Sequence, residues 1–164
     1  MKALVTGASS GIGRDMAKEL AKRGYNLILV ARDEQKLKEV SEEIKNIYEV
    51  KSEDIDILIN NAGFGVHGNF VETNFEKEIK MLETNVMAVH ILMKLFLQDM
   101  VKRNSGQILN VSSMAAFSPG PLMAGYYSSK AYVYRLSECI KTELKMAKSK
   151  VKISVLCPGP VRTN

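Results

Sequence analysis

"LVTGASSGIG", residues 4–13, runs from a short apolar strand into a helix through a turn that carries Gly7, Gly11 and Gly13. Each glycine has a physical reason to be there. One permits a backbone turn, one lets a pyrophosphate approach the main chain, and one allows close helix–strand contact. The helix that follows points free N–H groups and a partial positive charge at whatever anion occupies the turn. The spacing is G-x-x-x-G-x-G rather than the common G-x-G-x-x-G, and any tight strand-to-helix turn uses glycine. What raises its meaning is its place after the first strand.

Outward from that turn, strands and helices alternate. "KALVT" (2–6) is the first strand, and residues 11–23 read as a helix with Ile12, Met16 and Leu20 on one face and Gly24 as its stop. "NLILVA" (26–31) is a second strand, followed by an amphipathic helix with Asp33 as N-cap and a stripe of Leu37, Val40, Ile44 and Ile47. "DILIN" (56–60) is a buried strand. A long helical pattern spans 75–102 through Ile79, Leu82, Val86, Val89 and Phe96. "GQILNVSS" (106–113) is a strand, 126–147 a helix, and "VKISVLC" (151–157) a last strand. This alternation predicts βαβ units: an α/β, three-layer α/β/α architecture with a doubly wound parallel sheet, read as a single domain over 1–164.

The composition agrees. With 164 residues, 46% of them hydrophobic, the chain can bury a core. The net charge of +5 comes from lysines that alternate with glutamates on helix faces, a solvated-helix pattern rather than a nucleic-acid surface. The apolar run at the N-terminus breaks at Gly7, and no stretch is long enough for a membrane span, so the expectation is a cytoplasmic protein. Cys139 and Cys157 lack metal or redox spacing and are expected to be buried free thiols; His67 and His90 match no ligand pattern, so no metal is expected.

The end of the second strand bears on the choice of dinucleotide. A carboxylate there would accept from an adenosine ribose and favour NAD. Here "VARD" puts Arg32 first, able to hold a 2′-phosphate by a charge-assisted contact, with Ser9 or Ser10 adding hydroxyl donors. Asp33 competes as an acid, although its capping role already accounts for it. A surface arginine opening a helix would look the same, so NADP(H) is the favoured expectation and NAD(H) the lesser one.

Taken together, "TGASSGIG", "NNAG" (60–63), Ser113, "YYSSK" (126–130) and "PGPVRT" (158–163) resemble the short-chain dehydrogenases/reductases, in that family's order and across nearly the whole chain. The resemblance implies a Rossmann-like fold and hydride transfer between a nicotinamide and a carbonyl or alcohol substrate. The family's Y-x-x-x-K selects Tyr126 with Lys130, and its serine thirteen residues earlier falls on Ser113. Helical spacing alone leaves Tyr127 open, since i+3 and i+4 are both neighbours of a helical lysine. Tyr126 is implied as general acid/base. Lys130 is implied to favour the phenolate and hold the nicotinamide ribose, and Ser113 to donate to the substrate oxygen. A lysine cation about 4–5 Å from a phenol, at an effective dielectric near 20, favours the phenolate by roughly 3–4 kcal/mol.

Asn85 matches the family's asparagine that holds a water beside the lysine, though a helix asparagine making a local contact is the alternative. Dinucleotide contacts are implied for Gly7, Ser9, Ser10, Gly11, Ile12, Gly13, Arg32, Ala62, Gly63, Tyr126 and Lys130, and for the carboxamide loop Pro158, Gly159, Val161 and Thr163. Asn60 is implied as well, or else stabilises the sheet. Ser112, Ser128 and Ser129 fall outside the serine spacing, and Ser112 is expected to face away from Ser113 if the strand continues that far.

The chain departs from the family pattern in two places. "NIYEVKSEDID" passes almost directly into the next strand where relatives have a further strand and helix, and the chain ends at Asn164 within the motif that precedes a substrate lid. The expectation is that the segment near 48–54 and the C-terminal lid are missing pieces of a longer protein. "SPGPLMAG" (118–125) offers Pro119, Leu122 and Met123 as an apolar wall for a hydrophobic substrate. Pairing of the long helix and the Tyr126 helix with another copy, as in relatives, implies a homodimer or homotetramer. The alternative function is a catalytically silent NADP(H)-binding sensor or scaffold.

Overall fold

The computed structural model describes residues 1–44 and 55–160. In chain order the elements are β1 (Lys2–Thr6), α1 (Gly11–Lys22), β2 (Asn26–Val30), α2 (Glu34–Glu43), β3 (Ile57–Asn60) and α3 (Phe75–Leu82). A π-helical turn (Glu83–Met87), α4 (Ala88–Lys102), β4 (Gln107–Val111), a 3₁₀ turn (Met114–Phe117), α5 (Ala124–Met146) and β5 (Lys152–Leu156) follow. The sheet is parallel throughout, in the order β2-β1-β3-β4-β5. From β1 the chain winds one way to β2, then returns past β1 to β3 and continues outward. The loops leaving β1 and β3 therefore diverge, and a crevice opens at the C-terminal edge between them. That edge is where ligands bind in open α/β sheets.

Strand alternation builds the two cores. Ala3 and Val5 of β1 face the same side as Leu27, Ile59 and, from the helices, Ala17, Val40 and Ile44. Leu4 faces the other side with Leu58, Ile108 and Ile153, covered by Val89, Met93, Phe96 and Met100 of α4 and by Val133 and Leu144 of α5. These layers are the predicted α/β/α sandwich. Asp33 caps α2 as predicted, its side chain accepting from the Lys36 amide at 3.1 Å. Ile47 of the predicted stripe lies outside the described residues.

Three details differ from the sequence reading. The long helix is interrupted. Ile79 and Leu82 continue the 3–4 spacing of the core positions, yet both are exposed, and Met81 and Asn85 are buried in their place. The π turn takes up one extra residue, so the phase of the buried face shifts by one position across it. The strand expected to reach residue 113 ends at Val111. Ser112 is then buried, whereas Ser113 is half-buried with extended backbone and starts the 3₁₀ turn. The thiols also differ from expectation: both are free, but Cys139 is exposed on α5 and Cys157 is half-buried at the end of β5.

Candidate active site

A cleft of about 1270 Å³ occupies this crevice. Its floor is the glycine turn. Gly7 has φ +65°, and a Cβ there would come within 2.8 Å of Asn61 and 2.9 Å of the Ala62 backbone, so only glycine fits. Gly13 does not line the cleft. A Cβ there would lie 2.3 Å from the Gly7 carbonyl oxygen, which makes Gly13 the residue that lets α1 close onto the turn. Ser10 caps α1 in extended conformation without using its side chain, and α1 has no acidic residue in its first turn. The helix thus presents unspent N–H groups and hydroxyls from Ser9 and Ser10 to the cleft.

The second wall comes from the loop after β3. Thr6 Oγ1 accepts from the amides of Asn61 (3.0 Å) and Ala62 (3.1 Å) and donates to the Ile59 carbonyl (3.3 Å). Asn61 Nδ2 donates back to the carbonyls of Thr6 and Gly7, both at 3.2 Å. These bonds tie the two diverging loops together. Sequence reasoning missed both residues; the signal was the second asparagine of "NNAG" opposite a threonine that ends the strand. Asn60, for which the sequence left open a dinucleotide contact or a role in the sheet, is buried between β3 and β4, its amide donating to Asn110 Oδ1 at 2.8 Å. Asn60 is the last residue of β3 and enters the core, whereas Asn61, just past the strand end, lines the cleft.

Ser113, Tyr126 and Lys130 meet at the far end of the cleft. Lys130 extends from α5 under the sheet edge, donating to the Val111 carbonyl at 2.9 Å, and its ammonium lies 5.8 Å from the centre of the Tyr126 ring. The residue is 5% exposed, and burial pulls its pKa from the ordinary 10.5 down to about 8, opposed by the nearby Cys157 sulfur. Burial in turn pushes the Cys157 thiol up. Ser112 Oγ donates to the Lys130 carbonyl at 2.8 Å and so anchors α5. Ser113 Oγ accepts from the Ala115 amide at 3.2 Å, which leaves its own O–H to donate. The two tyrosine rings sit edge to face, 75° apart. Tyr126 packs over Gly65, where a Cβ would sit 3.4 Å from its ring. Tyr127 is seated on Gly120, where a Cβ would come within 2.3 Å of its ring, and it borders both the cleft and a smaller groove beside Pro119 and Pro121.

Asn85 is 1% exposed and spends its amide on protein partners. Its Oδ1 accepts from the Phe64 amide at 3.1 Å, and its Nδ2 donates to the Phe64 carbonyl at 2.9 Å and to Ser129 Oγ at 3.0 Å. Ser129 Oγ donates to the Tyr126 carbonyl at 2.7 Å. Asn85 therefore joins the segment after β3 to the tyrosine helix, and Ser129, set aside by sequence spacing, is part of that link.

At the other end, Arg32, Asp33 and Lys36 line the cleft beyond β2. The Asp33 carboxylate is engaged by its capping bond and by the Lys36 ammonium at 3.8 Å. Arg32 lies over the Phe64 ring, 5.0 Å from its centroid. Gly11, Ile12, Ala62, Gly63, Pro158, Gly159 and Met123 also line the cleft. Val161 and Thr163 lie outside the described residues. Among the described residues no cluster of side chains could hold a metal ion, and no helix is long and apolar enough to cross a membrane.

The family model of the short chain dehydrogenases matches residues 1–53 and 48–164. An uncharacterized oxidoreductase of Staphylococcus epidermidis is 31% identical over 181 positions, covering 98% of this chain and 78% of that protein. That aligned length exceeds the 164 residues of the chain, so the relative carries positions this chain lacks. A short-chain dehydrogenase/reductase from Burkholderia phymatum, solved in complex with NAD, superposes with a TM-score of 0.91 at 28% identity, over 99% of this chain and 66% of that one. A short-chain dehydrogenase from Sphingobium yanoikuyae, solved with NADPH, gives 0.88 at 29% identity over 99% and 72%. The parallel sheet, the glycine turn and the shared sequence over both segments lead to one assignment: the chain belongs to the short-chain dehydrogenase/reductase family of oxidoreductases.

Proposed function

We propose that the chain binds NADP(H) in this cleft and interconverts a carbonyl compound and its alcohol, with Tyr126 as general acid/base. The observation that carries the reading is that Ser113, Tyr126 and Lys130 line the same cleft whose floor is the glycine turn at the N-terminus of α1 and whose far side carries Arg32. The cleft suits a dinucleotide. Gly7 leaves the backbone open to a pyrophosphate, α1 supplies N–H donors, and Arg32 with Lys36 offers positive charge where a 2′-phosphate would lie. The bound nicotinamide would supply or accept the hydride.

The protein's own part is proton handling and charge placement. In reduction, Ser113 O–H donates to the substrate oxygen as negative charge grows there, and Tyr126 O–H transfers its proton to the same oxygen. Lys130 has one N–H committed to Val111 and others free for ribose hydroxyls, and its positive charge favours the phenolate left on Tyr126. In oxidation the same groups run backwards. Leu122 is exposed and Met123 lines the cleft near the tyrosines, which favours an apolar substrate. Exposed Met87 at the end of the π turn and Ile91 and Leu95 on α4, four apart, with Tyr132 on α5, form the face proposed to pair with a second copy.

The test is fluorescence titration with NADPH and NADH, then a carbonyl panel followed at the nicotinamide absorbance. Tyr126→Phe is expected to abolish turnover while binding NADPH normally, and Tyr127→Phe to retain turnover. Loss of turnover with Tyr127→Phe alone refutes the assignment. Cofactor binding without turnover of any carbonyl favours the silent module.

A further inference from the structure

Phe64 follows "NNAG" with a glycine on either side, and each glycine brings the segment against the catalytic groups. A Cβ at Gly63 would lie 3.2 Å from the Lys130 ammonium and 3.1 Å from Asn85 Oδ1. A Cβ at Gly65 would lie 2.7 Å from the Met123 side chain and 3.4 Å from the Tyr126 ring. Between them, both backbone groups of Phe64 are held by the one Asn85 amide. The segment has little freedom to slide. Its ring turns toward β2 and carries the Arg32 guanidinium at 5.0 Å from the centroid. Arg32 itself is exposed, and an exposed arginine otherwise samples many rotamers, an entropy it must surrender when it grips a ligand.

We propose that Phe64 is a positioning residue for Arg32: its pinned ring pre-sets the guanidinium at the 2′-phosphate end of the cleft and thereby helps discriminate NADPH from NADH. The proposal rests on the reading of Arg32 as the 2′-phosphate contact. It adds that the discrimination is held from the catalytic side of the cleft, through Asn85 and the Phe64 backbone. A guanidinium kept flat on a ring face can still aim its N–H edge at a phosphate, because stacking uses the face and hydrogen bonding uses the rim.

The experiment measures dissociation constants for NADPH and NADH by nicotinamide fluorescence, with thermal unfolding as a folding check, in wild type, Arg32→Ala, Phe64→Leu and Phe64→Tyr. Phe64→Leu keeps an apolar side chain but removes the π face. It is expected to weaken NADPH about two- to fivefold, the worth of an exposed cation–π contact, and to leave NADH unchanged. Phe64→Tyr is expected to restore the NADPH:NADH ratio. Equal loss for both dinucleotides, or no loss for either, overturns the positioning role while an Arg32→Ala defect confined to NADPH still stands. If Arg32→Ala leaves the ratio unchanged, the Arg32 reading fails and the proposal falls with it.

Discussion

Lys130→Met is the perturbation whose sign the structure fixes most directly. The ammonium is buried, its pKa drawn from 10.5 to about 8 chiefly by desolvation. An unfolded chain holds that proton more tightly than the folded one, so between pH 8 and 10.5 the unfolded state binds more protons and stability rises with pH. Below pH 8 the folded protein carries the full cost of the buried charge, on the order of 3 kcal/mol from the width of that window. Methionine has similar length and no charge, so Lys130→Met removes the cost but leaves the Val111 carbonyl without its donor, a loss of about 1–3 kcal/mol. At pH 7 the two effects largely cancel. The difference appears on titration: urea unfolding at pH 7 and pH 10 should show wild type gaining roughly 2–3 kcal/mol more than the variant. Parallel pH dependence in the two proteins would refute the claim that Lys130 is buried as a strained cation. The variant should also lose carbonyl reduction at every pH.

Two further outcomes follow from the packing. Gly13→Ala places a methyl 2.3 Å from the Gly7 carbonyl, backbone that cannot yield cheaply; it should cost about 1–3 kcal/mol by denaturant unfolding and weaken NADPH binding as the turn is displaced. Leu95→Glu puts a charge in the exposed apolar row proposed to pair with a second copy; if that pairing holds, the variant shifts toward monomer by light scattering, with little effect on NADPH affinity.

Much of the fold was legible because the chain repeats one physical problem. An apolar strand, buried on both sides by helices, shows as a short hydrophobic run; an amphipathic helix shows its period; glycine marks the turn between them. Apart from α2, which ends at Glu43 although its expected stripe ran on to Ile47, the strands and helices lie where those patterns put them, with ends within about two residues. The π turn was not legible, because the apolar spacing through residues 79–96 is compatible with one straight helix. Only packing of Asn85 against Phe64 and Ser129 selects the frame that exposes Ile79 and Leu82.

For the site, spacing together with the family resemblance singled out the candidates: a glycine turn, a serine, and a tyrosine four residues before a lysine. Local sequence also determined that Asp33 would be taken by its helix cap. What the tertiary structure decided is everything that depends on facing direction and distance across the sheet. It turned Asn61 rather than Asn60 to the cleft, seated Tyr127 on Gly120, and set Arg32 on a ring 32 residues away in sequence. It also buried Lys130 deeply enough to weaken its hold on a proton. The physical reason is the same in each case. Periodicity and spacing are properties of one segment, whereas burial, stacking and desolvation arise only when segments distant in the chain are brought together.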